Sequence, residues 1–220
     1  DVIVEKAAAY GVSQDEVRNA LEKPPTFWDR FKHTKYVYLT LIQAALTEEV
    51  SQGKAIYHGH AGHLLLRGVG HVMRTRIIAP LPARVKAVQA RLDLSHDDAV
   101  AYIQRMDQDR QRWTQYLYGV DWGNPAYYDL VLNLEHLDVP QACEIIAAMA
   151  RLEAFQETDE SRAAMRDLAL ASRVRANLAV APETQGLEVD VTARSGAVTI
   201  SGDAVGRDRV HEIEMVVRRV

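Results

Sequence analysis

The chain has 220 residues, 48% hydrophobic and 25% charged, enough for one sizeable domain, or a domain plus a small module, that needs no covalent staple. A formal net charge of −4 excludes a global basic field for nucleic acid or an anionic membrane, and the single cysteine, Cys143, excludes an internal disulfide and a zinc–thiolate cluster. No apolar run reaches the roughly 20 residues that span a bilayer and no signal peptide is visible, so a cytoplasmic location is expected; the first residue is Asp1 rather than Met, which fits a fragment or a trimmed chain.

In chain order, residues 2–10 read as a helix stopped by Gly11, and Ser13-Gln-Asp-Glu16 reads as a capping box opening a second helix that Pro24-Pro25 ends. Phe27, Trp28 and Phe31 form a short aromatic segment expected to staple two helices. Residues 34–51 read as a long amphipathic helix closed by Gly53. Ala55-Ile56-Tyr57-His58, cut by Gly59, reads as a buried strand. Residues 72–79 are a second strand, and Pro82 fits the first turn of a helix running to about Leu92. Ser95-His-Asp-Asp98 caps a further long helix. Trp122-Gly-Asn-Pro125 is a loop and residues 129–134 a third strand. Pro140 starts a helix to Phe155, in which Cys143 is expected as a buried structural thiol. Strands alternating with helices predict an α/β layer fold with a parallel sheet, whose ligands bind beyond the carboxyl ends of the strands, where His58, Gly59 and His60 fall.

Composition changes near Gln156. A polar stretch is followed by a helical one over residues 163–179, after which the hydrophobic period becomes two: Leu187, Val189, Val191 and Ala193 alternate with polar residues. Ser195-Gly196 is a hairpin signal, Val198 and Ile200 alternate on the return strand, and residues 205–220 form an amphipathic helix. The predicted organisation is a first domain over residues 1–155, a linker and helix over 156–171, and a small α+β module over 172–220.

The chemistry-bearing stretch is Arg105-Met-Asp107-Gln-Asp109-Arg110-Gln-Arg112. On a helix, Arg105, Asp109 and Arg112 stand at i, i+4 and i+7 and share one face. Two guanidinium forks grip phosphate oxygens, and a carboxylate between them accepts sugar hydroxyl hydrogens, so the stripe suits a nucleotide. The competing reading is a solvated salt-bridge face.

The pattern Arg105-x-x-x-Asp109-x-x-Arg112, followed by Asp121-Trp-Gly-Asn-Pro125 and Tyr127-Tyr-Asp129-Leu-Val-Leu-Asn133, resembles the cytidylate kinase-like family over residues 1–155. The resemblance implies a nucleoside-monophosphate-kinase-like parallel-sheet domain. It implies transfer of the ATP γ-phosphoryl group, with Mg²⁺, to a CMP- or dCMP-like nucleoside monophosphate. Carried over residue by residue, Arg105 and Arg112 hold acceptor phosphate and Asp109 the sugar. Arg91, kept with Arg84 in the lid helix, joins Arg105 and Arg112 as a catalytic residue. His60 stands where the family has an arginine facing the phosphate, and Ala87 where relatives carry another lid arginine. The family's glycine-rich phosphate loop, its cofactor-binding element, has no counterpart here: either it lies upstream of Asp1, or the chain is a remnant that does not hold ATP in the normal way. Gly68-Val-Gly70-His lacks the following Lys-Ser and is rejected as such a loop.

Arg173-Val-Arg-Ala-Asn-Leu178, Val189-Asp-Val191 and Ser195-Gly-Ala-Val-Thr-Ile-Ser-Gly202 resemble a BON domain, which implies a phospholipid or small-molecule ligand; the alternative is a plain α+β appendage used in assembly. His58, His60 and His63, with His71 nearby, have no ligand-spaced carboxylate, so no metal site is predicted. Scattered basic residues without interleaved aromatics exclude a nucleic-acid groove. Two functions follow: a nucleotide kinase in the complete parent protein, or a non-catalytic nucleotide-binding or regulatory protein with a ligand-sensing BON-like module.

Overall fold

The helix starts are set by local chemistry. The Ser13 backbone N–H donates to Glu16 Oε2 (3.1 Å) and the Glu16 N–H donates to Ser13 Oγ (3.2 Å), the reciprocal bonds of a capping box. The Ser95 hydroxyl oxygen accepts from the Asp98 N–H at 3.2 Å. The computed structural model describes residues 2–22, 35–59, 62–202 and 207–220. Pro24, Pro25, Phe27, Trp28, Phe31 and His60 lie outside the described residues.

Among the described residues the order is α1 (Val2–Ala8), α2 (Gln14–Glu22), α3 (Lys35–Val50), α4 (Gly62–Leu65), β1 (Thr75–Ile78), α5 (Leu81–Leu92), α6 (His96–Tyr118), β2 (Leu130–Asn133), α7 (Val139–Ala150), α8 (Asp159–Val180), β3 (Asp190–Arg194), β4 (Ala197–Ser201) and α9 (Arg207–Val217). They form two compact units: residues 1–69 with 158–220, and residues 70–157. This division cuts the chain differently from the expected 1–155, 156–171 and 172–220, because α3 packs on α8.

In the first unit α3 is the central post. Val37, Tyr38, Leu41, Ile42, Ala44, Ala45 and Leu46 are all buried, together with Thr40 and Thr47, so the helix is enclosed on nearly every side. The amphipathic expectation for this segment is thereby corrected: α1 and α8 both pack against it. Lys6 of α1 reaches Glu48 and Glu49 of α3, each at 3.1 Å. Arg175 of α8 donates to Gln43 Oε1 (3.1 Å) and to the Val191 carbonyl (2.6 Å), and Tyr36 Oη donates to the Val189 carbonyl (2.8 Å).

The antiparallel pair β3–β4 meets through Ser195-Gly196, where φ is 51° and 80°, the two positive values that a tight hairpin turn requires. Asp167 of α8 accepts both turn N–H groups, from Ser195 at 2.8 Å and Gly196 at 2.9 Å, which holds its carboxyl below the ordinary range. Val174, Leu178, Val191 and Val216 form the core beneath the hairpin.

Residues 55–58 are not a strand. Ile56 is 98% exposed, and Gly53 and Gly59 turn the chain at both ends with φ of 156° and 111°. Four residues between two such turns find no ladder partner, and hydrophobicity alone does not supply one. Tyr57 instead lies over Gly62, where an added Cβ would clash with its ring.

In the second unit β1 and β2 pair in parallel, Thr75 opposite Leu130 through Ile78 opposite Asn133. The connection between them is the helical hairpin α5–α6. The expected α/β layering with a parallel sheet is present as a two-stranded sheet. Cys143 is exposed rather than buried: α7 buries Ala142 but leaves Val139 and Ile145 exposed, so its apolar composition is not matched by a covering layer. No helix among the described residues is long and apolar enough to cross a membrane.

Candidate functional site

The strand ends of the second unit are fastened by charge. Just before β1 and β2, Asp129 Oδ2 accepts from the Arg74 backbone N–H (2.8 Å) and Nε (3.0 Å), while Oδ1 accepts from Nη2 (2.7 Å). The Arg74 guanidinium is the main cause holding the Asp129 carboxyl below its ordinary range. One residue into β1, Arg76 donates to the carbonyls of Trp122 (3.2 Å) and Gly123 (2.7 Å). Its guanidinium lies 4.8 Å from the Trp122 ring centroid and 5.6 Å from that of Tyr128. Asp121 Oδ1 accepts from the Gly123 N–H at 2.8 Å, and Asn124 Oδ1 from the Ala126 N–H at 2.9 Å. The Asp121–Pro125 motif and Asp129 thus have a mechanical role: they clamp the amino end of the sheet. Arg74 and Arg76 carry no spacing signal in the sequence and are visible only through these partners.

At the other end of β1 the chain enters α5. Val85 and Val88 of α5 and Ala99 and Ile103 of α6 are buried together and fix the hairpin. Asp93, left-handed at φ 52°, ends α5 before Ser95 caps α6. Arg84 spans the two helices: Nη1 donates to Asp107 Oδ2 and Nη2 to Oδ1, both at 2.7 Å. This bidentate pair raises the Arg84 pKa, the hydrogen bond to Asp107 being the main cause.

Along the seam runs a cleft of about 340 Å³. Arg84, Ala87 and Arg91 line it from α5, and Tyr102, Met106 and Arg110 from α6. Its floor is Val88 and Ile103, which are buried. The lining holds three guanidinium groups and no carboxylate.

Of the predicted site residues, Arg91 stands in this cleft. Arg105, Asp109 and Arg112 share a face of α6, as the spacing requires, with Arg105 and Arg112 exposed and Asp109 half-buried. At about 100° per residue, that face is roughly a third of a turn from the cleft-lining one. Tyr102 links the two surfaces: it lines the cleft, and the Arg105 guanidinium lies 5.8 Å from its ring centroid. His60 is outside the described residues, and no group of three His, Cys, Asp or Glu that could hold a metal occurs among the described ones. Arg110 and Asp107 are the residues that the stripe reading missed. Both lie in the same charged run, and only the partner helix α5 distinguishes their phase from that of Arg105 and Arg112.

Comparison with known proteins adds the family. The model of the cytidylate kinase-like family matches residues 1–136, more than half of the chain. The cytidylate kinase of Sulfolobus acidocaldarius is 30% identical over 97 residues, covering 44% of this chain and 52% of that protein. The chain therefore spans about half the length of the curated relative it matches. Both β1–β2 strands and the whole α5–α6 hairpin fall inside the family match, whereas α8, the β3–β4 hairpin and α9 fall outside it. By the extent of that match, the chain belongs to the cytidylate kinase-like family.

Proposed function

We propose that the protein is a nucleotide kinase that transfers the ATP γ-phosphoryl group to a CMP- or dCMP-like nucleoside monophosphate, and that α6 carries the acceptor side. The observation behind this reading is the unpaired state of the stripe. The side chains of Arg112 and Asp109 form no ion pair or hydrogen bond with any described residue, and the described contact of the Arg105 side chain is the Tyr102 ring. A solvated salt-bridge face would pair Arg105 with Asp109 at i, i+4; these side chains stay available to a ligand instead. In this reading Arg105 and Arg112 hold the acceptor phosphate, Asp109 accepts from a sugar hydroxyl, and Arg91 neutralises charge from α5. ATP and Mg²⁺ are substrates, the ion arriving on the phosphates, since the described residues offer no cluster of their own for it.

Calorimetric titration of the full chain with CMP and dCMP tests the reading. Arg112→Ala and Arg105→Ala are each expected to weaken monophosphate binding about tenfold, the worth of one charge-assisted hydrogen bond. Unchanged affinity in both variants, or no monophosphate binding by the native chain, refutes it.

One observation favours a second reading, nucleotide binding without transfer. Ala87 presents a methyl group to the cleft where the family resemblance implies an arginine. Monophosphate binding together with no turnover of ATP·Mg²⁺ and CMP would select this alternative, with the C-terminal segment as a BON-like ligand-sensing module.

A further inference from the structure

We infer that Arg175 is a positioning residue for monophosphate binding: through the Gln43 side chain it fixes α4, and with it the stretch of chain that leads into α4. This role rests on the kinase reading, and it brings in a residue from beyond residue 136, where the family match ends. Gly62–Leu65 is a single helical turn, too short to hold its own shape, and the last carbonyls of a helix have no partner within it. Leu65 is buried, so its carbonyl needs a partner from the protein. Gln43 Nε2 of α3 donates to that carbonyl at 2.9 Å and closes the turn from outside. The chain enters α4 from the stretch containing His60, the residue that stands where the family has an arginine facing the phosphate.

Gln43 closes the turn in only one of its two amide orientations, and Arg175 selects it. A guanidinium donates and never accepts, so the Gln43 oxygen faces Arg175 Nη1, at 3.1 Å, which leaves the NH₂ group for Leu65. Arg175 is held in turn by the hairpin: Nη2 donates to the Val191 carbonyl at 2.6 Å and to Asp190 Oδ1 at 3.1 Å. The Arg175 side chain is 21% exposed and that of Asp190 68%, so the carbonyl is the stronger of the two anchors. A relay therefore runs from β3 through Arg175 and Gln43 to α4, all within one compact unit. Without Arg175 the amide is free to flip, and a flipped amide sets its oxygen against the Leu65 carbonyl, acceptor against acceptor.

The test pairs hydrogen exchange with calorimetric CMP titration of the full chain. Gln43→Glu is the decisive variant, because its carboxylate still accepts from Arg175 but cannot donate to Leu65. Thermal unfolding is expected to stay near that of the native chain, since an ion pair with Arg175 offsets the lost bond. Exchange at the Leu66 amide, which donates to the Gly62 carbonyl, is expected to rise about tenfold, the worth of one hydrogen bond, while Ala45 and Leu46 in α3 keep their native rates. CMP affinity is expected to fall at least about fivefold. Arg175→Ala should give the same two changes. Gln43→Ala and Arg175→Ala together should weaken CMP binding no more than Gln43→Ala alone, because Arg175 acts through Gln43. Native exchange at Leu66 or native CMP affinity in Gln43→Glu overturns the inference, as do additive losses in the double variant. If Gln43→Glu fails to fold, Gln43→Met, which fills similar space without a donor, replaces it under the same criteria. No CMP binding by the native chain refutes the kinase reading and this role with it, whereas native CMP binding that these variants leave unchanged removes Arg175 alone.

Discussion

Replacing Asp129 by Asn probes the fastening at the amino end of the β1–β2 sheet. The carboxylate takes three hydrogen bonds from Arg74, at 2.7, 2.8 and 3.0 Å. Asn keeps one oxygen, sufficient for the backbone N–H, but turns its NH₂ group toward the guanidinium, so the bidentate contact is lost. A charge-assisted hydrogen bond contributes about 1.5–3 kcal/mol. Because a fifth of the Asp129 side chain is exposed, the lower part of that range applies, and the expected loss is about 2 kcal/mol. For a unit of this size, that corresponds to roughly 8–16 °C in Tm.

The pH dependence carries a sign. Asp129 has a folded-state pKa below its ordinary value, chiefly through the Arg74 guanidinium. Its contribution is therefore fully present above the unfolded value of about 4 and fades as pH falls through the lower folded value. Urea unfolding followed by tryptophan fluorescence, to which Trp113 and Trp122 of this unit contribute, should show a gap between native and variant of about 2 kcal/mol at pH 7 that closes below about pH 4. A gap that persists unchanged at pH 3, or none at pH 7, refutes the reasoning.

Two further predictions concern the first unit. Ser172 is 1% exposed and its hydroxyl has no hydrogen-bond partner among the described residues, so Ser172→Ala should raise stability by about 1 kcal/mol; a loss in urea unfolding would show the hydroxyl to be satisfied. Asp167→Ala removes the acceptor for two turn amides, so hydrogen exchange at Ser195 and Gly196 should speed up while α8 stays protected, and unchanged exchange at those two amides would contradict the cap.

Features fixed by a few neighbouring residues were legible in the sequence. Ser13 with Glu16, Ser95 with Asp98, and the Ser195-Gly196 hairpin each satisfy their backbone groups within a handful of positions. What depends on a partner from far along the chain was not. Residues 55–58 have strand composition but no ladder, Cys143 sits in an apolar helix with little to cover it, and α3 is enclosed because α8 packs against it. The candidate site divides in the same way. Spacing alone put Arg105, Asp109 and Arg112 on one face, and the family resemblance named Arg91. Arg110 and the Arg84–Asp107 pair emerge only once α5 is laid beside α6. The family motif around Asp121–Asp129 was legible as a motif, but its mechanical task, gripping Arg74 and Arg76, was not.

The enclosure of α3 has a practical meaning for anyone who trims this gene. Residues 1–136 mark where kinship is recognisable, yet the helix at the heart of that stretch leans on α8, which begins at Asp159. An expression boundary drawn at the limit of kinship would remove α8 from α3 and, with it, the hydrogen bond from Arg175 to Gln43. The first and last thirds of the polypeptide build one compact unit between them.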